Sequence, residues 1–109
     1  MARISTHVLD IARGRPAAGI AVELSFGLVP CKVTQTNSDG RTDEPLVNAT
    51  YLEPGGYDLT FRTGDYFRAN GDESFFEHVT ISFVVRDRSA NYHVPLLLAP
   101  YGYSTYRGS

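Results

Sequence analysis

The segment 79–85, VTISFVV, decides the fold class, because large apolar side chains recur at every second position. A period of two is that of a β-strand with one face buried. The apolar face would carry Val79, Ile81, Phe83 and Val85. The same alternation occurs in 57–62, YDLTFR, and in 20–26, IAVELSF. These three segments predict half-buried strands, which are typical of a fold built from paired sheets.

Turn-forming residues divide the rest of the chain into short pieces. Predicted turns lie at 13–16 (RGRP), 37–40 (NSDG), 54–56 (PGG) and 86–89 (RDRS). Further strands are predicted at 3–9, 31–36, 49–52, 91–98 and after Pro100. One short helix is expected at 65–70, capped by Thr63 or Asp65 and ended by Gly71.

These elements predict an all-β fold, a two-sheet antiparallel β-sandwich of seven or eight strands with one short helix. A length of 109 residues suits a single domain spanning residues 1–109. The predicted apolar core is Val8, Val22, Leu24, Tyr57, Leu59, Phe61, Ile81, Phe83, Val94 and Leu96.

Composition excludes several classes of partner. The net charge of −2 argues against nucleic-acid binding, and no apolar run of about 18 residues predicts a membrane span. The single cysteine, Cys31, rules out an intrachain disulfide, and the first residues lack the apolar core of a signal peptide. We therefore expect a cytoplasmic protein. No spacing of metal ligands is recognisable, so neither a metal nor another cofactor is expected.

Alternation also assigns polar residues to the outer faces of the sandwich. If Val94 and Leu96 face the core, His93 faces outward, and the same argument places His7 on the outer face of the first strand. This outer face carries too many apolar and tyrosine side chains to suit plain exposure to solvent. We therefore predict that it packs against another subunit, with His7, His93 and Arg107 along the contact. For each of these residues taken alone, an ordinary surface or packing role is the alternative.

Several motifs together resemble the transthyretin-related family. They are 5–10 (STHVLD), 14–17 (GRPA), 36–41 (TNSDGR) and 92–98 (YHVPLLL). The ending 102–109, GYSTYRGS, resembles the enzymatic branch of that family, the 5-hydroxyisourate hydrolases, because the hormone-carrying branch lacks the terminal tetrapeptide. The resemblance extends over essentially the whole chain.

This resemblance implies a prealbumin-like sandwich that assembles as a homotetramer, a dimer of dimers, with active sites in the channel between dimers. The implied activity is hydrolysis of 5-hydroxyisourate to 2-oxo-4-hydroxy-4-carboxy-5-ureidoimidazoline in urate degradation. By residue match the implied site contains His7, Arg41, His93, Tyr106, Arg107, Gly108 and Ser109, with no metal.

The expected chemistry is attack of water on a ring carbonyl. In our hypothesis His7 is the general base, oriented by Ser109, and His93 holds the substrate or protonates the leaving nitrogen. Arg41 and Arg107 would grip the carbonyl oxygens with their forked donors. The residues leave open which histidine is the base and whether Ser109 is a nucleophile.

Two other functions compete with hydrolysis. The first is a transthyretin-like carrier of a small ligand without enzymatic activity, and the second is an Ig-like or carbohydrate-binding structural domain. The cationic set of His7, Arg41, His93 and Arg107 favours a polar purine derivative over an apolar hormone.

Overall fold

The computed structural model describes all residues from Met1 to Ser109 and contains two β-sheets and one helix. The strands are β1 (Ala2–Asp10), β2 (Arg15–Pro16), β3 (Ala21–Phe26), β4 (Val29–Gln35), β5 (Val47–Ala49), β6 (Gly55–Phe61), β7 (Val79–Val85), β8 (Tyr92–Ala99) and β9 (Gly102–Thr105). The helix α1 spans Thr63–Ala69. Its seven residues are too few to cross a membrane.

The first sheet has the order β2-β1-β8-β9, with β5 also paired to β1, and the second has the order β4-β3-β6-β7. The predicted two-sheet β-sandwich with a single short helix is therefore confirmed. It has nine strands rather than the predicted seven or eight, because the two-residue β2 also pairs with β1. One pairing departs from the antiparallel expectation, because β1 and β8 run parallel. A parallel pair needs a long connection between its strands, and here the whole second sheet supplies it.

The core lies between the sheets and contains 20 buried apolar residues. Eight of the ten predicted core residues are buried; Ile81 and Phe83 are only partly buried because β7 is an edge strand. On β8 the predicted core face is buried (Tyr92, Val94, Leu96 and Leu98). On its outer face His93 is half-buried, as predicted, but Pro95 is buried.

Four local predictions were wrong. In the turn predicted at 13–16, Arg15 and Pro16 instead form β2, because they pair with β1. The strand predicted at 49–52 lies earlier, at Val47–Ala49, because Ile4 of β1 pairs with Val47 and Leu52 instead bonds to the Arg88 carbonyl. Residues 55–56 extend β6 rather than forming a turn, since they pair with β7. The helix begins at Thr63 with Arg62 as its N-cap, and no side chain caps it.

Candidate functional site

The parallel pairing of β1 with β8 brings the two predicted histidines onto one face of the first sheet. Ser5 pairs with His93 and His7 pairs with Pro95. Since side chains alternate between faces, His7 and His93 point to the same side on adjacent strands. Strand spacing and rise place their Cα atoms about 8 Å apart. Both side chains are half-buried.

The turn at 37–40 delivers Arg41 to the same face. The Asn37 side-chain carbonyl accepts hydrogen bonds from the backbone N–H groups of Asp39 and Arg41, and Gly40 has a φ of 76°. A Cβ at Gly40 would overlap the Val8 carbonyl, so this position requires glycine. The turn lies against β1 through a bond from Val8 N to Gly40 O (2.8 Å), which pairs His7 with Arg41.

A backbone carbonyl fixes the proton of His7. The Nε2 atom lies 2.9 Å from the carbonyl oxygen of Asp39. Because a carbonyl can only accept, Nε2 carries the hydrogen and donates it. In neutral His7 the lone pair is therefore on Nδ1.

His93 lies in a more enclosed environment. Its Nδ1 lies 2.9 Å from the Ser5 hydroxyl oxygen. Burial lowers the pKa of His93 below its ordinary value of 6.5, and the positive charges of Arg41 and His7 lower it further. The imidazole is therefore neutral near pH 7, with a lone pair available on one nitrogen.

The end of the chain closes against His93. The backbone N–H of Gly108 donates to the His93 carbonyl at 2.7 Å, and the two residues form an isolated bridge. A Cβ at Gly108 would lie 2.5 Å from the His93 Cδ2, so only glycine fits beside the ring. Ser109 then reaches the cavity in front of the imidazole.

This cavity has a volume of about 330 Å³ and no hydrophobic residue in its lining. It is lined by Arg3, Ser5, Arg41, Asn91, His93 and Ser109. No acidic side chain is among them, and neither guanidinium takes part in an ion pair. The arrangement is therefore a cationic pocket with free donors, which suits a polar, oxygen-rich molecule that gains negative charge as it reacts.

Tyr106 and Arg107 lie elsewhere in the single chain. The Arg107 guanidinium stacks on the Tyr92 ring at 4.4 Å and donates to the Asn91 carbonyl at 3.1 Å. Both side chains line a separate, mainly apolar cavity of about 290 Å³ near Phe83. The sequence predicted that Arg107 meets the two histidines where subunits pack together; within one subunit Arg107 does not line the polar cavity.

Sequence reasoning missed three residues of the polar cavity: Arg3, Ser5 and Asn91. A signal for two of them was present, because Arg3, Ser5 and His7 share the outward face of β1 by strict alternation. Asn91 precedes β8 and offered no pattern of its own.

Comparison with known proteins places the chain among close relatives. The HIUase/Transthyretin family model matches residues 4–108. The 5-hydroxyisourate hydrolase of Deinococcus radiodurans is 51% identical, with 97% of this chain and 95% of that protein covered. The solved structure of Klebsiella pneumoniae 5-hydroxyisourate hydrolase superposes with a TM-score of 0.89 at 42% identity, covering 100% of this chain and 94% of the other.

The fold extends to more distant proteins. Sea bream transthyretin, solved in complex with thyroxine, superposes with a TM-score of 0.87 at 23% identity and covers 97% of this chain and 94% of the other. That likeness concerns the sandwich alone.

Proposed function

Because the chain belongs to the HIUase/Transthyretin family, we propose that residues 1–109 form a single hydrolase domain that converts 5-hydroxyisourate to 2-oxo-4-hydroxy-4-carboxy-5-ureidoimidazoline. The observation that carries this proposal is the polar cavity, where His93, Arg41 and Ser109 meet beside His7. Chain segments that are far apart in the sequence line this cavity.

The reaction consumes one water molecule. The water oxygen bonds to a carbonyl carbon of the six-membered ring, and the adjacent C–N bond breaks. One water proton ends on the leaving nitrogen, and the new acid ionises to a carboxylate. A site for this step needs a base for water, donors for the oxyanion and a proton for nitrogen.

The contacts favour His93 as the general base, the reverse of the roles first expected for the two histidines. His93 is neutral near pH 7, and it lines the cavity. His7 already donates its Nε2 proton to Asp39, so its remaining Nδ1 lone pair suits a substrate N–H. The imidazolium formed on His93 would return its proton to the leaving nitrogen.

The guanidiniums supply the positive charge that the reaction needs. Arg41 lies close enough to His93 to lower its pKa, and Arg3 lines the same cavity. We assign Arg41 to the oxyanion and Arg3 to the carboxylate that appears as the ring opens. Ser109 would orient the attacking water with its hydroxyl group.

Tyr106 and Arg107 would act differently from the rest of the site. The stacking of Arg107 on Tyr92 and its bond to the Asn91 carbonyl hold the segment that carries Gly108 and Ser109. In this proposal Arg107 is a positioning residue of its own subunit, and direct substrate contact by Tyr106 or Arg107 would require another subunit.

We further propose a homotetramer, a dimer of dimers, with the polar cavity facing the channel between dimers. The support is the number of large side chains left exposed near β9: Tyr101, Tyr103 and Tyr106 are 64%, 41% and 58% exposed. Tyrosine suits a partly wet interface. Sedimentation at several concentrations tests this assembly, and a monomer at all of them would contradict it.

A transthyretin-like carrier is the competing function. A carrier of an apolar ligand needs an apolar lining, and the cavity beside His93 has none. Tight thyroxine binding without hydrolysis would favour the carrier.

The direct test follows the absorbance of 5-hydroxyisourate made from urate by urate oxidase. We expect the decay to accelerate when the protein is added, above the uncatalysed rate. A variant lacking residues 106–109 should lose the acceleration, because Ser109 and the Gly108 backbone that bonds to His93 are removed. Undiminished turnover in the truncated variant would overturn the proposed site, and no acceleration by the full chain would overturn the function.

Gly108→Ala should lower kcat by roughly tenfold to a hundredfold, because the new methyl group displaces the His93 ring and misplacing a reacting group by about 1 Å costs that much. Gly102→Ala is the matched control. A Cβ at Gly102 meets nothing within 4 Å, so the activity of this variant should equal that of the wild type. Equal activity in both variants would argue against His93 as a reacting group.

A further inference from the structure

The His93 ring is held on two of its edges and open on the third. Its Nδ1 edge faces the Ser5 hydroxyl at 2.9 Å, and its Cδ2 edge lies against the Cα of Gly108. Of the ring atoms, only Nε2 and Cε1 remain to face the cavity. Nε2 is therefore the one nitrogen through which His93 can meet a substrate.

The orientation of the ring follows from these contacts. If the ring were flipped, a carbon would face the Ser5 hydroxyl, and Nδ1 would lie against the Gly108 carbon, where it has no partner. Ser5 itself cannot shift, because Ile4 and Thr6 on either side of it are buried and the Thr6 hydroxyl donates to the Val94 carbonyl at 2.7 Å. Ser5 and His93 thus lie on two rigid, adjacent strands, β1 and β8.

We propose that Ser5 is a positioning residue that accepts the Nδ1–H of neutral His93 and so keeps the Nε2 lone pair directed into the cavity. The inference rests on the proposed hydrolase function and deepens it, by assigning the proton-accepting atom and the residue that selects it. A hydroxyl oxygen can accept this bond both before and after His93 gains a second proton.

In this proposal the Nε2 atom of His93 both accepts and returns the proton. The water proton moves to Nε2 while the water oxygen bonds to the ring carbonyl carbon. The imidazolium keeps its Nδ1–H bond to Ser5, and the Nε2 proton passes to the nitrogen released by C–N cleavage. The imidazole returns to its starting tautomer, and one water has been consumed.

The spectroscopic test measures the tautomer directly. In ¹⁵N-labelled protein at a pH where His93 is neutral, we expect the wild type to carry the proton on Nδ1, and Ser5→Ala to shift His93 toward the Nε2–H form. Ser5→Thr keeps a hydroxyl group and should restore the Nδ1–H form. A wild-type Nε2–H tautomer, or an unchanged tautomer in Ser5→Ala, would overturn the assignment.

The kinetic test separates positioning from folding. Ser5→Ala should lower kcat about tenfold, the value of one lost hydrogen bond, with KM changed by less than about twofold. Ser5→Thr should recover most of kcat. Ser82→Ala is the matched control, since it removes a serine bond to Asp58 on the other sheet and should leave kcat unchanged.

The outcomes for the tautomer and for the function remain distinct. A wild type that shows the Nδ1–H tautomer but does not hydrolyse 5-hydroxyisourate would overturn the proposed function and not the Ser5 contact. An active wild type whose kcat is unaffected by Ser5→Ala would overturn the positioning role alone.

Discussion

His93→Ala should lower kcat/KM for 5-hydroxyisourate by about 10²- to 10⁴-fold, the usual contribution of a general base. The variant removes the only imidazole that lines the polar cavity, while the buried residues on either side of it, Tyr92 and Val94, stay in place. His78→Ala is the matched control, because His78 is exposed and lies outside this cavity. Rates are measured above the uncatalysed decay, and an equal effect of the two substitutions would contradict the assignment.

The pH dependence of kcat/KM tests His93 in a second way, through the direction in which its pKa is shifted. Burial, Arg41 and His7 all lower the pKa of His93, so the neutral base persists below pH 6.5. We expect the decline in kcat/KM on acidification to be centred below pH 6.5. Arg41→Gln removes one positive charge that disfavours the imidazolium, so the decline should begin at higher pH. A decline displaced to lower pH would contradict this coupling.

The sequence predicted the fold well because its signal is local. Alternation at 20–26, 57–61 and 79–85 reflects burial of one strand face, and those segments are strands within one or two residues. The errors arose where pairing with a neighbouring strand, rather than the local pattern, decides the structure. Gly55 and Gly56 were predicted in a turn, but pairing with Val84 and Val85 extends them into β6. The parallel register of β1 and β8 depends on strand order, which alternation does not encode.

The site was predicted only in part for the same reason. Alternation correctly placed His7 and His93 on the outer face, and the turn at Gly40 presents Arg41 beside His7. Ser5 was not selected, because its relation to His93 exists only through a register between residues 88 positions apart. The sequence placed Arg107 at a contact between subunits; within one subunit it stacks on Tyr92 and does not line the polar cavity, so its part in the site stays a prediction. The catalytic roles themselves stay predictions.

Asp10→Ala should destabilise the fold by about 3–5 kcal/mol, because Asp10 is a fully buried carboxylate at the end of β1. Its two oxygens accept hydrogen bonds from the Tyr66 hydroxyl (2.7 Å), the Arg13 backbone N–H (2.9 Å) and the Arg13 guanidinium (3.2 Å). The bond from Tyr66 connects α1 to the first sheet. Alanine would leave the tyrosine hydroxyl buried without its acceptor, and burial together with Asp10 already raises the pKa of Tyr66 to about 12.

Thermal unfolding at fixed protein concentration measures the effect, with a midpoint loss of roughly 12 °C or more expected for a domain of this size. Asp65→Asn is the matched control: its partner Arg68 is exposed, and surface pairs contribute about 1 kcal/mol or less. A loss in Asp10→Ala no larger than in this control would show that Asp10 does not fasten the helix.

The same carboxylate predicts how stability depends on pH. Burial alone would raise the pKa of Asp10, but the bonds from Tyr66 and Arg13 outweigh it and hold the pKa below the ordinary 3.8. The unfolded chain therefore binds the proton first as the pH falls, so the stabilisation by Asp10 is complete above pH 3.8 and is lost as the pH drops through the lower folded value. Asp10→Asn cannot titrate here. The midpoint difference between wild type and Asp10→Asn should thus narrow from pH 6 to pH 2, and a constant difference would mean that the carboxylate charge does not contribute.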